Sequence, residues 1–205
     1  MREKSIILTA KVISLIFMPF YMPILAFVLL FIFSYMSLMP FAYKLILLGV
    51  VALFSIVIPR ILIYLYIKLN GLKQRHLSKR ETRTMPYLLS IISYWFGYEL
   101  LMNIHTPRFM ISIFWAALAV QIVCGVINLK FRISTHSAAV GSFNGMLIAY
   151  SLIFAFDPLW WLCLSLVITG VVASSRVILR QHTVAEVNVG MLVGVICGFV
   201  CGILI

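Results

Sequence analysis

From Leu159 to Ile205 the chain reads LWWLCLSLVITGVVASSRVILRQHTVAEVNVGMLVGVICGFVCGILI. Two apolar runs, 159–178 and 185–205, flank a polar knot from Ser175 to Glu186. A helix of about 20 apolar residues is long enough to cross the hydrocarbon layer of a bilayer. Each run is therefore expected to be a membrane span, with the knot at one membrane surface.

The same pattern continues toward the N-terminus. Further apolar runs lie near 8–33, 44–67, 87–103, 109–128 and 137–156, the run at 87–103 being the shortest. The expected fold is all-α, a polytopic transmembrane helical bundle of six to seven spans, forming one domain over 1–205. The first run carries Lys11 and two prolines and has no small-residue cleavage site before the next run, so it reads as a retained span.

Composition agrees. Hydrophobic residues make up 64% of the chain and charged residues 10%, with a mean hydropathy of +1.15. Soluble domains run at about 45–50% apolar and 25% charged, so a water-exposed globule is excluded. Cys124, Cys163, Cys197 and Cys201 all fall inside apolar runs, where a thiol behaves as a small hydrophobe.

The net charge is +11, from 16 basic residues against five acids. These cations sit mostly between spans, which suits a membrane surface and anionic headgroups and argues against a nucleic-acid partner. Three polar segments result: 68–85, Lys130 to His136, and Ser175 to Glu186. If 87–103 pairs with 109–128, and 137–156 with 159–178, each hairpin returns the chain to its starting face. All three polar segments then meet on one side of the membrane. The opposite side holds the turn Phe156-Asp157-Pro158-Leu159-Trp160-Trp161, whose tryptophans suit an interfacial belt.

Ionisable groups near spans are costly and mark function. Of the acids, Glu186 alone has a histidine four residues before it, and on a helical face it would accept a hydrogen bond from His182. A carboxylate there fixes the tautomer and raises the basicity of the distal nitrogen. Arg176, six residues earlier, offers a planar fork of donors for phosphate oxygens. His136, after Ser134 and Thr135, stands at an expected helix start, where backbone N–H groups favour an anion. Two histidines divide the work of phosphate-ester cleavage, one attacking phosphorus and the other protonating the leaving alkoxide. His76 and His105 lack a suitably spaced carboxylate and read as loop residues. Gly190, Gly194, Gly198 and Gly202 form a small-residue stripe whose first meaning is helix packing.

These residues resemble the type 2 phosphatidic acid phosphatases, whose site is shared with vanadium-dependent haloperoxidases. The family's third motif is Ser-Arg, five residues, His, three residues, Asp; this chain has Ser175-Arg176, five residues, His182, three residues, Glu186. Its second motif, Pro-Ser-Gly-His, is matched at Ser134 and His136 in Ile133-Ser134-Thr135-His136. Its first, Lys, six residues, Arg-Pro, has its nearest counterpart in Lys79 to Pro86. The resemblance covers about 79–205 and implies a haloperoxidase-like core. It implies His182 as nucleophile, Glu186 as its orienter and His136 as the acid. It implies Arg176, Arg83, Arg80, Ser134 and Lys130 as phosphate ligands, with no metal or other cofactor.

The expected function is hydrolysis of a lipid phosphomonoester or diphosphate in a bacterial inner membrane, with lipid chains remaining in the bilayer. The family's usual placement points the site outward, whereas the lysine and arginine count alone points it to the cytoplasm. Two other readings use the same residues. One is a zinc-dependent membrane hydrolase with His136, His182 and Glu186 as ligands. The other is a transporter or assembly subunit whose charges serve a pathway or pairing.

Overall fold

Proline and glycine punctuate the apolar runs, and the helices end or bend where they fall. The computed structural model describes residues 2–71 and 84–204. Helix α1 (Arg2–Ile16) gives way at Pro19 to a single 3₁₀ turn, Pro19–Tyr21, before α2 (Met22–Phe33) resumes. A proline has no N–H to continue the ladder, so the first apolar run is one span in two pieces.

The second run also has a proline, Pro59, and takes a different course. Between α3 (Phe41–Ala52) and α4 (Ile58–Leu69) lies a π-helical turn, Leu53–Val57, in which the Ile58 N–H reaches back to Leu53. Pro59 cannot supply the next donor in that register, and the Phe54 carbonyl instead accepts from Ser93 Oγ at 2.7 Å. Ser93 belongs to α5 (Thr84–Asn103), which also brings Gly97 against Phe54 and Phe114, where a Cβ would clash.

The remaining helices are α6 (Arg108–Asn128), α7 (Thr135–Phe154), α8 (Leu159–Ile178) and α9 (Val184–Ile203). There is no strand among the described residues. Six stretches are long and apolar enough to cross a membrane: Glu3–Phe33, Phe41–Leu69, and α6, α7, α8 and α9. The remaining expected run, 87–103, is the continuous 20-residue helix α5, a more polar one that carries Glu99, and is not among the six. Leu192 and Ile196 on α9 and Val167 on α8 are 59%, 61% and 65% exposed. Such apolar outer faces belong against lipid rather than water; the chain is a multi-pass membrane protein.

Ring contacts and glycines give the helix directions. Tyr98 meets Trp115 with tilted rings, while Tyr87 faces Gly125, so α5 and α6 run antiparallel. Gly190, Gly194 and Gly198 lie on the backbone carbonyls of Ser134, Ala138 and Ser142 in turn, so α9 runs parallel to α7. The packing is two-sided, because Gly141 and Gly145 of α7 meet the carbonyls of Met191 and Val195. Five glycines thus let two backbones touch. Tyr87, Cys124, Ile133 and Ala138 form one buried cluster, placing the start of α5, the end of α6 and the start of α7 together.

Candidate active site

The parallel course of α7 and α9 brings their N-termini to one end of the bundle, and α8, which connects them in the chain and runs the other way, delivers its C-terminus there. The polar connectors Lys130 to His136 and Ser175 to Glu186 therefore share that end, and the described chain resumes at Thr84 beside them. Lys130, Arg132, Arg176 and Arg180 are all here, while Lys44 and Arg108 begin helices at the other end. The second and third polar segments share one end, as counting spans led one to expect, while residues 72–83 of the first lie outside the described residues.

Helix α9 begins with Thr183 as N-cap, its hydroxyl accepting the Glu186 N–H at 3.3 Å. Thr183-x-x-Glu186 has the spacing of a capping box, in which the glutamate would reach back to the cap's own N–H. Here the carboxylate turns to the residue before the cap. His182 Nδ1 donates to Glu186 Oε2 at 2.6 Å, with the imidazole 2% exposed and the carboxylate side chain 14%. The contact matches expectation, but its origin does not. His182 precedes the helix, so cap geometry rather than a shared helical face sets the pair. A proton held at Nδ1 by the carboxylate leaves the lone pair on Nε2.

The turn into this cap is tight. The N–H of Arg180 bonds the Val177 carbonyl and that of Gln181 bonds the Arg176 carbonyl, the two bonds of a Schellman ending. Arg180 carries the left-handed conformation such an ending requires, φ 52°, normally left to glycine. His105 holds the equivalent position at the end of α5, φ 56°, and is exposed at the opposite end of the bundle.

Ser134 is fully buried and caps α7, accepting the Ser137 N–H at 3.4 Å with Ser137 Oγ at 3.0 Å. Its own N–H donates to the Glu186 carbonyl at 3.3 Å, so the second and third polar segments are joined backbone to backbone. Its hydroxyl thus has a capping task that spacing alone did not reveal. His136, in the first turn of α7, is half-buried. Lys130 is exposed on the connector from α6. Arg176 is buried near the end of α8, and its Nη1 donates to Ser14 Oγ of α1 at 2.5 Å. Arg80 and Arg83 lie outside the described residues.

Ser14, Thr183 and Ser137 were missed by sequence reasoning. Thr183 had a signal in its spacing to Glu186. Ser14 had none, because 162 residues separate it from Arg176.

Among the described residues, no three His, Cys, Asp or Glu side chains gather as a metal site would require. The arrangement instead sets a carboxylate-held imidazole, a second imidazole, an arginine and the first turns of two helices at one end of the bundle. Helix N-termini attract anions through their unpaired N–H groups and dipole. The group suits nucleophilic attack on a bound oxyanion. No protein-family model matches this chain, and no curated protein or solved structure does either.

Proposed function

We propose that this protein is a membrane-resident lipid phosphatase of the type 2 phosphatidic acid phosphatase kind, with that family's helical core. The observation that carries the reading is the His182–Glu186 pair, 2.6 Å apart, tied through the Glu186 carbonyl to the start of the helix that bears His136.

In this mechanism His182 Nε2 attacks phosphorus in line with the leaving oxygen, and Glu186 holds the Nδ1 proton and stabilises the charge that develops on the ring. His136 gives a proton to the departing alkoxide. A phosphohistidine results. Water then attacks it, His136 taking the water's proton, and inorganic phosphate leaves. Arg176 and the N–H groups opening α7 hold the equatorial oxygens, with Ser134, Lys130, Arg80 and Arg83 as the further ligands the resemblance assigns. The donor set favours this reading over zinc hydrolysis, because no third ligand joins His182 and Glu186 among the described residues.

The substrate is a phosphomonoester or diphosphate of a lipid, and the proposal includes a bacterial inner membrane with the site facing outward. The test is phosphate release by the purified protein from a panel of lipid phosphates. Release that vanadate inhibits, chelators spare and His182→Ala abolishes is expected. Release unchanged in His182→Ala would refute the mechanism. For the facing, a membrane-impermeant thiol reagent should label Arg180→Cys in intact cells; protection there would place the site inside.

A further inference from the structure

A cavity of about 500 Å³ runs between α2, α6 and α7. It is in the range of small-molecule sites, about 300–1,000 Å³, but its shape is that of a channel. Its wall includes Thr135, the first residue of α7, and Phe154, the last, so it follows a 20-residue helix of about 30 Å. Thr135 adjoins both Ser134 and His136. The far end is lined by aromatic rings, Phe154 and the tilted pair Phe33–Trp161, whose centroids are 4.5 Å apart.

Between these ends the wall is chiefly apolar, with Ala116 and Ala117 of α6 and Ala26 of α2 leaving the bore open. Water held in such a space needs two to four polar partners per molecule, and the few hydroxyls and the one amide on this wall are too scattered among alanine, leucine and phenylalanine side chains to provide them along its length. An empty bore would forfeit dispersion contacts along its whole wall. Hydrocarbon suits it. Gln121, Thr135 and Ser142 put polar groups on the half toward the candidate site, while on the far, aromatic half the hydroxyls of Ser34 and Tyr150 donate to the Leu30 and Phe109 carbonyls. That polarity matches a lipid phosphate entering tail first.

Building on the phosphatase reading, we infer that one hydrocarbon chain of the substrate lies inside the bundle, in the channel between α2, α6 and α7, with its phosphate at the Thr135 end. Lipid chains would then not all remain in the bilayer. The length and bulk of that one chain become part of what the enzyme selects.

The probe is docosyl phosphate with a photoreactive diazirine at the chain terminus, its extended chain matching the length of the channel, added to the protein in phosphatidylcholine vesicles and mapped by peptide sequencing after illumination. Adducts at Phe33, Phe154 and Trp161 are expected, with Ala117→Trp lowering them at least tenfold. Adducts confined to the outer face of α9, at Leu192, Ile196 and Val200, would overturn the inference. In parallel, Ala117→Trp should lower the ratio of kcat/KM for hexadecyl phosphate over propyl phosphate at least tenfold; an unchanged ratio would count against it. Channel adducts without any phosphate release would refute the phosphatase reading and leave the channel assignment standing. Phosphate release with outer-face adducts alone would do the reverse.

Discussion

The backbone N–H of Ser134 donates to the backbone carbonyl of Glu186 across 3.3 Å, joining the start of α7 to the first turn of α9. This bond and the glycine contacts beneath it set where the His136 helix stands relative to the His182–Glu186 pair. Whatever separates α7 from α9 therefore separates the two halves of the site.

A methyl group on Gly194 would overlap the Ala138 carbonyl oxygen, which is backbone and cannot swing aside. Gly194→Val is expected to lower stability by about 1–3 kcal/mol or more, as overpacked cores do, and to abolish phosphate release with it. Gly170→Ala on α8, where nothing lies within 4 Å, is the control. It should raise stability by about 0.5–1 kcal/mol through helix propensity. Thermal unfolding in detergent measures both.

Thr183→Ala removes the hydroxyl that caps α9, at an expected cost of about 1 kcal/mol. Thr183→Ser should recover most of it. Denaturant titration of the three proteins checks the order, and equal midpoints would mean the cap carries no stability.

Arg180→Gly relieves a side chain from the left-handed region. With φ at 52° and the side chain exposed, the substitution should stabilise the protein by about 1 kcal/mol. An unfolding midpoint no higher than that of the natural protein would contradict the assigned ending of α8.

Ser14→Ala removes a hydroxyl that accepts from a buried guanidinium. A bond to a charged group is worth about 1.5–3 kcal/mol, so KM for a lipid phosphate should rise about tenfold as Arg176 loses its anchor, with Ser14→Thr restoring it. Steady-state kinetics on the three proteins reads this directly.

These expectations show how unevenly the molecule was written into its sequence. The spans were legible because apolar length is a one-dimensional signal: the run 159–178 is the helix Leu159–Ile178, and 109–128 differs from Arg108–Asn128 by one residue. The break at Pro19 was not, since membrane helices often tolerate proline through neighbouring partners. The common end of the second and third polar segments followed from span parity. The Gly190–Gly202 stripe announced close packing, yet its partners Gly141 and Gly145, also four apart, are what make the contact two-sided. The His182–Glu186 spacing pointed to a real pair through the wrong geometry, because a threonine cap does the work assigned to a helical face. Ser14 was beyond reach, as only tertiary folding brings α1 to Arg176.

Glu186→Gln keeps the size of the side chain while removing the charge that the proposed mechanism uses to stabilise the imidazole in the transition state. The variant should fold with an unchanged unfolding midpoint and turn over at least about a hundredfold more slowly, the usual scale of acid–base assistance. Turnover at the natural rate would leave the carboxylate without a chemical role.

The most direct measurement is of the covalent intermediate. Purified protein is mixed with a lipid phosphate labelled in its phosphoryl group, quenched in alkali, which preserves phosphohistidine, and mapped by peptide. Label on the peptide bearing His182, absent from His182→Ala and prolonged in life by His136→Ala, is the predicted result. Label at any other residue, or turnover of labelled lipid in the His182→Ala protein, would contradict the account.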